Sequence, residues 1–357
     1  ARQVLHQPME REAAIVHDAP WEGNASLYHT VFQDGDLYRM YYRGSHLIVG
    51  ETTLGSSHEF VCYAESQDGI HWKKPKLGLV EFKGSKDNNI ILTGPVVHNF
   101  TPFKDTNPDC KSEERYKGLG GISGGLRAYK SPDGIHWTPM SEKAVITKGA
   151  FDSQNLAFWD EVRGQYREYH RAFRNGRDIM TCTSDDFLHW TEPQWLEYEP
   201  GRLTELYTNQ ILPYPRAPHL FLGFPARYIA GRALLGPLNE RIARISKRYG
   251  TDYTDTGLIV SRDGQRFHVW PEAFIRPGIQ TGNRWVYGSK YTAWGIVETR
   301  SETPDAPPEL SFYTSDEGYW REHVVMRRYT LRIDGFVSVN APQAGGELVT
   351  KPMRFEG

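Results

Sequence analysis

Ser131-Pro132-Asp133-Gly134-Ile135-His136-Trp137 is one of five related stretches, and their recurrence decides the fold. A near-identical copy is Ser66-Gln67-Asp68-Gly69-Ile70-His71-Trp72, and a third reads Ser184-Asp185-Asp186-Phe187-Leu188-His189-Trp190. Two weaker copies follow, Ser261-Arg262-Asp263-Gly264-Gln265-Arg266-Phe267 and Ser315-Asp316-Glu317-Gly318-Tyr319-Trp320. Their opening serines, at 66, 131, 184, 261 and 315, lie 65, 53, 77 and 54 residues apart. Such spacing is the mark of a repeat architecture.

Each copy has a local physical reading. Asp-Gly suits a tight hairpin turn, because Gly accepts positive φ and Asp bonds its own backbone. Strand-like runs precede the turns, among them Phe60-Val61-Cys62-Tyr63-Ala64 and Ile179-Met180-Thr181-Cys182-Thr183. The aromatic after the turn can pack between neighbouring sheets. A hairpin closed by Trp reads as the outer half of a four-stranded blade, so five copies predict an all-β, five-bladed propeller with four-stranded antiparallel blades. Residues 1–330 form that unit, with 1–20 as an irregular lead-in. The strand-like tail, 331–357, closes the ring or starts a second β-module.

Blade four must absorb the longest spacing. Within its insertion Leu235, Leu238, Ile242 and Ile245 recur at helical intervals, with Arg241, Arg244, Lys247 and Arg248 on other faces. One short amphipathic helix is expected there, packed on a blade edge or lying over the site as a lid.

The bulk composition excludes several function classes. The 357 residues are 39% hydrophobic and 13% aromatic, with 10 Trp and 20 Tyr, which suits β-structure and sugar-stacking surfaces. A net charge of −2 gives no electrostatic footing for nucleic acid or an anionic membrane. Cys62, Cys110 and Cys182 are too scattered for a disulfide framework or a zinc site. No apolar run reaches the roughly 18 residues of a membrane helix, and no signal peptide stands in this stretch.

In a propeller the heads of the innermost strands converge on the axis from distant parts of the chain. The acids to examine are therefore those that enter first strands. Blade one offers Trp21-Glu22-Gly23-Asn24, blade three Phe151-Asp152-Ser153-Gln154-Asn155, and blade four Thr204-Glu205-Leu206-Tyr207-Thr208-Asn209. Blade two has only Asp105, in a loop past its strand, and blade five has Asn283-Arg284-Trp285 without an acid.

This arrangement resembles the five-bladed propeller glycoside hydrolases, the group that includes families 43 and 32. The resemblance rests on the architecture of about residues 20–330 and on Trp21-Glu22-Gly23-Asn24, which stands at the group's tryptophan-containing first-blade motif with Glu in place of the usual Asp. It implies cleavage of a glycosidic bond in a poly- or oligosaccharide, and exo action is expected if the insertions and the tail wall the funnel. Glu22 is then base or nucleophile, Glu205 the general acid, and Asp152 the group that raises the Glu205 pKa and contacts the sugar. The same resemblance implies a secreted or periplasmic setting. It calls for no cofactor, leaves room for a central structural calcium, and implies a carbohydrate partner with no nucleic acid or membrane.

Polar neighbours complete the expected site. Arg43, Arg171 and Arg227 each end a second-strand segment and could bind a carboxylate or sulfate, or pair with an axial acid. Asn24, Asp105, Gln154, Tyr207, Asn209 and Trp294 are further substrate-contact candidates. His71, His136 and His189 belong to the repeat and are not metal ligands. Two other readings remain open at this point. The turns also resemble the Asp boxes of sialidases, which would make an acidic sugar the substrate. A non-catalytic carbohydrate-binding propeller is the third, although its pockets should be alike in every blade.

Overall fold

The computed structural model describes residues 1–232, 236–279, 285–316, 319 and 322–350. Leu235, Asn283, Arg284, Glu317, Gly318 and Trp320 of the expectations above lie outside these residues, as does the end of the tail.

The described residues are mostly β, arranged in successive antiparallel sheets. The first sheet runs Leu27–Asp34, Leu37–Val49, Leu54–Ser66 and Ile90–Leu92. The second runs Thr101–Lys104, Tyr116–Gly120, Arg127–Ser131 and Thr138–Pro139, and the third Leu156–Asp160, Gln165–Phe173, Arg177–Ser184 and Gln194–Trp195. The fourth joins Leu212–Tyr214, Ala217–Gly223, Ile259–Ser261 and Arg266–Val269, with Glu197–Glu199 added in parallel at its outer edge. A fifth joins Val297–Thr299, Glu309–Asp316, Val325–Arg332 and, from the other end of the chain, Met9–Val16.

That last strand corrects the expected lead-in. Met9–Val16 carries only one buried residue, Ile15, so it shows no clean apolar alternation. Its backbone nevertheless fills the edge of Val325–Arg332, while Arg2–Leu5 pairs with Val337–Asn340. The strand Val325–Arg332 also runs across the boundary drawn at residue 330.

The repeated turns form by one local device. Ser66 Oγ accepts the N–H groups of Asp68 and Gly69 at 3.2 and 3.0 Å, and Asp68 Oδ1 accepts those of Ile70 and His71, both at 2.8 Å. The same bonds recur from Ser131/Asp133, Ser184/Asp186 and Ser261/Asp263. His71, His136 and His189 each bond the turn aspartate, so they are turn residues. Tyrosines of adjacent sheets then fasten the turns: Tyr313 donates to Gly69 O, and Tyr169 to Gly264 O at 2.7 Å. Gly134 (φ +79°) faces Tyr41, whose hydroxyl would lie 2.6 Å from any Cβ there.

The insertion of the fourth repeat does contain helix, Pro237–Ile245 followed by Lys247–Thr251. Pro237 opens it, where its missing N–H costs nothing, and Ile242 is buried.

Candidate functional site

The heads of the inner strands are held together by buried amides. Gln154 Nε2 lies within 3.3 Å of Tyr28 O, 3.1 Å of His29 O and 3.2 Å of Thr30 Oγ1. Gln210 Nε2 donates to Gln154 Oε1 at 2.5 Å, and Trp294 Nε1 to Ile211 O at 2.9 Å. Tyr28 (φ 58°), Gln210 (φ 45°) and Lys290 (φ 56°) turn the backbone through the left-handed region beside these heads, a conformation that costs free energy without glycine. Gln154, Asn209 and Trp294 are therefore floor. Asn209 bonds Ile211 N and Tyr169 O, so its polar atoms are engaged by the protein like those of the other two.

Above this floor stands a cluster of tyrosines, arginines and acids. Asp152 Oδ1 is 3.1 Å from His98 Nε2, and His98 Nδ1 is 2.9 Å from Glu59 Oε1, so one imidazole joins two carboxylates. Arg43 bonds Ala25 O, approaches both His98 nitrogens and lies 3.6 Å from Glu59. Burial alone would raise the pKa values of Asp152 and Glu59. His98, with Arg171 and Arg43 for Asp152 and Arg43 for Glu59, outweighs it and holds both below the usual carboxylate range.

Glu205 enters from the other side. Its Oε2 accepts Arg177 N and Arg177 Nη1, both at 2.9 Å. The guanidinium of Arg177 lies 5.4 Å from the centre of the Tyr207 ring, and that of Arg171 lies 4.9 Å from it. Arg171 in turn reaches Asp152 Oδ2 at 3.8 Å. Asp152 and Glu205 are thus each linked to Tyr207 through one arginine. Tyr291 stacks on Tyr207 at 5.4 Å, and Tyr228, Tyr249, Tyr287 and Tyr319 extend the aromatic wall. Burial pushes the phenols of Tyr28, Tyr287, Tyr291 and Tyr319 well up, keeping them protonated donors.

The mouth has two walls. The long hairpin through Leu47–Leu54 and the helical insertion enclose an open cleft of about 500 Å³, with Arg248 and Tyr249 on the helical side. Asn24 ties the hairpin down, accepting Leu47 N at 2.7 Å and donating to Tyr319 O at 3.0 Å. A second cavity of about 440 Å³ lies at the far ends of the inner strands, among Phe32, Phe103, Phe158, Trp159 and Tyr214. Glu298 is the one carboxylate among its lining residues, so they include no pair of carboxylates.

Three sequence candidates stand elsewhere. Glu22 is buried beside the first sheet: Oε2 receives Lys74 Nζ at 2.6 Å and Ala19 N at 3.0 Å, and Oε1 receives Tyr42 OH at 2.5 Å. His17 Nδ1 is 3.5 Å from Oε1. Burial would raise its pKa, but His17 and Lys74 prevail and set it at about 2. None of these partners is shared with Asp152 or Glu205. Asp105 lies past the end of its strand, bonded to Lys117 Nζ at 2.5 Å and Tyr166 OH at 2.7 Å. Arg227 is closed in a two-bond pair with Asp255, at 2.7 and 2.8 Å.

Glu59, His98 and Arg177 were not among the sequence candidates. They lie in or near strands whose local sequence carries no motif, and only the folded arrangement assembles them. Among the described residues, no group of three or more His, Cys, Asp or Glu side chains is placed to hold a metal ion.

No family model matches the chain. A segment of 133 residues is 45% identical to an uncharacterised protein of Mycobacterium tuberculosis, covering 37% of this chain and 40% of that protein. Among solved structures, one described as a glycoside hydrolase superposes with a TM-score of 0.56 at 12% identity, covering 96% of each chain. An N-acetylgalactosamine deacetylase from F. plautii, in complex with blood group B trisaccharide, gives 0.55 at 13% identity over 92% of this chain and 94% of that one. At such identities the likeness is one of fold.

Proposed function

We propose that the protein is a five-bladed propeller glycoside hydrolase acting in the tyrosine-lined funnel. Five sheets of four or five strands, with turns fastened to neighbouring sheets, support the ring, and a three-stranded sheet of Glu205–Leu206, Ala226–Ile229 and Tyr253–Thr256 carries Glu205. The observation that carries the activity is the pair Asp152 and Glu205, each linked to Tyr207 through an arginine, Arg171 and Arg177. Glycoside cleavage needs one carboxyl that gives a proton and another that is ionised.

Glu205 is the proton donor in this reading. Its Oε2 is tied to Arg177, leaving Oε1 to protonate the leaving oxygen as the glycosidic C–O bond breaks. Asp152 stays ionised beside His98 and Arg171. It takes a proton from the attacking water, or attacks the anomeric carbon itself. Glu59 is a positioning residue that fixes His98. Glu22 has no part in the chemistry, because its carboxylate is bound by Lys74 and Tyr42. The hairpin and helical walls favour attack on chain ends over attack within a chain.

The test is a screen of plant and algal oligosaccharides with product analysis, followed by Glu205→Gln and Asp152→Asn. Each variant should lower kcat on the hydrolysed substrate by about 100-fold or more with unchanged thermal unfolding. Full turnover in either variant would refute the assignment of that carboxylate.

A further inference from the structure

The side chain of Arg171 is only 4% exposed, yet among the described residues its buried Nε has no hydrogen-bond partner. Its nearest acid oxygen, Asp152 Oδ2 at 3.8 Å, is beyond hydrogen-bond reach. Arg177 Nε is likewise unpartnered, but the rest of that guanidinium and that of Arg43 are engaged. Arg43 is bonded to Ala25 O and His98, and Arg177 to Glu205. A guanidinium carries five N–H donors in a planar fork, and buried donors are ordinarily satisfied. Arg171 also has exposed neighbours, its guanidinium lying 5.3 Å from the ring of the exposed Phe173. It lies over Tyr207, while the Asp152 side chain beside it is 57% exposed.

We infer that the funnel binds a sugar bearing an anionic group, a carboxylate or a sulfate, and that Arg171 receives that group. The inference rests on the reading of the funnel as a sugar site. A planar fork matches two oxygens of a carboxylate or sulfate, and its hydrogen bonds to such an anion are stronger than those to hydroxyls. Arg43, over Tyr28 at 4.9 Å, and Arg177, over Tyr207, add positive charge on either side. Asp152 supplies the opposing constraint: the anion must sit on the face of Arg171 away from it. That requirement fixes the orientation of the sugar relative to the ionised carboxylate.

Binding can be measured apart from turnover. Isothermal titration of the full chain would use methyl glucuronide, methyl galacturonide and galactose 6-sulfate against methyl glucoside, methyl galactoside and galactose. At least one anionic probe should bind about tenfold or more tightly than its neutral counterpart. Arg171→Gln should abolish the preference, and Arg171→Lys should restore it in part. Preference for the uronides alone identifies a carboxylate, and preference for the sulfated sugar alone identifies a sulfate ester. Wild-type protein without preference for any anionic probe would overturn the inference, and that result needs no variant to fold. An anionic preference without hydrolysis of any glycoside would instead count against the hydrolase reading and leave the anion site standing.

Discussion

Replacing Glu22 with glutamine separates a structural carboxylate from a catalytic one. The group is buried, bound by Lys74 at 2.6 Å and Tyr42 at 2.5 Å, and its pKa lies at about 2 against an ordinary 4.5. A depressed pKa means that the ionised form is stabilised by folding. The contribution is complete above about pH 4.5 and disappears as the pH falls through 2, and it amounts to about 3 kcal/mol. About 2 kcal/mol of it is already gone at pH 3. Glu22→Gln should therefore destabilise the protein by about 2–4 kcal/mol at neutral pH, because Lys74 loses its buried carboxylate and keeps only Val16 O and the exposed Asp18. The difference from wild type should shrink by about 2 kcal/mol at pH 3, since the variant has no carboxylate left to protonate there. Urea unfolding at pH 7 and pH 3 measures both quantities, and initial rates at a temperature where both proteins are folded measure turnover. A variant as stable as wild type at both pH values, but a thousandfold slower, would refute the reasoning and return Glu22 to the chemistry.

Other outcomes follow from the same coordinates. Lys117→Met leaves Asp105 buried without its cation and should cost about 3–5 kcal/mol by denaturant unfolding, whereas pairing it with Asp105→Asn should recover part of that loss. Gly295→Ala would set a Cβ 1.8 Å from Val31 O at φ +128°, so its thermal midpoint should fall by many degrees, with a loss of about 3 kcal/mol or more. His98→Gln removes a partner that holds Asp152 and Glu59 low, so the acid limb of the kcat/KM profile should move up in pH. An unmoved limb would exclude Asp152 as the group that limits activity in acid.

The sheets and the site were not equally legible in the sequence. The turns were readable because Ser and Asp bond backbone groups no more than three residues away, leaving a local signature at each copy. The helical insertion was readable for a similar reason, since its apolar spacing lies within three turns. The site depends on distant partners. Nothing around Trp21-Glu22-Gly23-Asn24 announces that Lys74 will arrive to neutralise Glu22, and nothing around Arg227 announces Asp255. Asp152 and Glu205 entered the expectation through their place before inner strands. Glu59 and His98 had no comparable place, one lying inside the long strand Leu54–Ser66 and the other following Val96-Val97. The strand Met9–Val16 was missed because an edge strand with one buried side chain is defined by its backbone bonds, which composition does not record.

The pairing of Met9–Val16 with Val325–Arg332 has a consequence for how the molecule is made. Two segments separated by more than three hundred positions must find each other, so residues 325–332 must be made before this sheet can be completed. Until then the backbone amides of residues 325–332 are an open template for another chain. Molecules in which this pairing has not yet formed should accordingly be the most prone to self-association, and a free peptide of residues 9–16 supplied during refolding should suppress it.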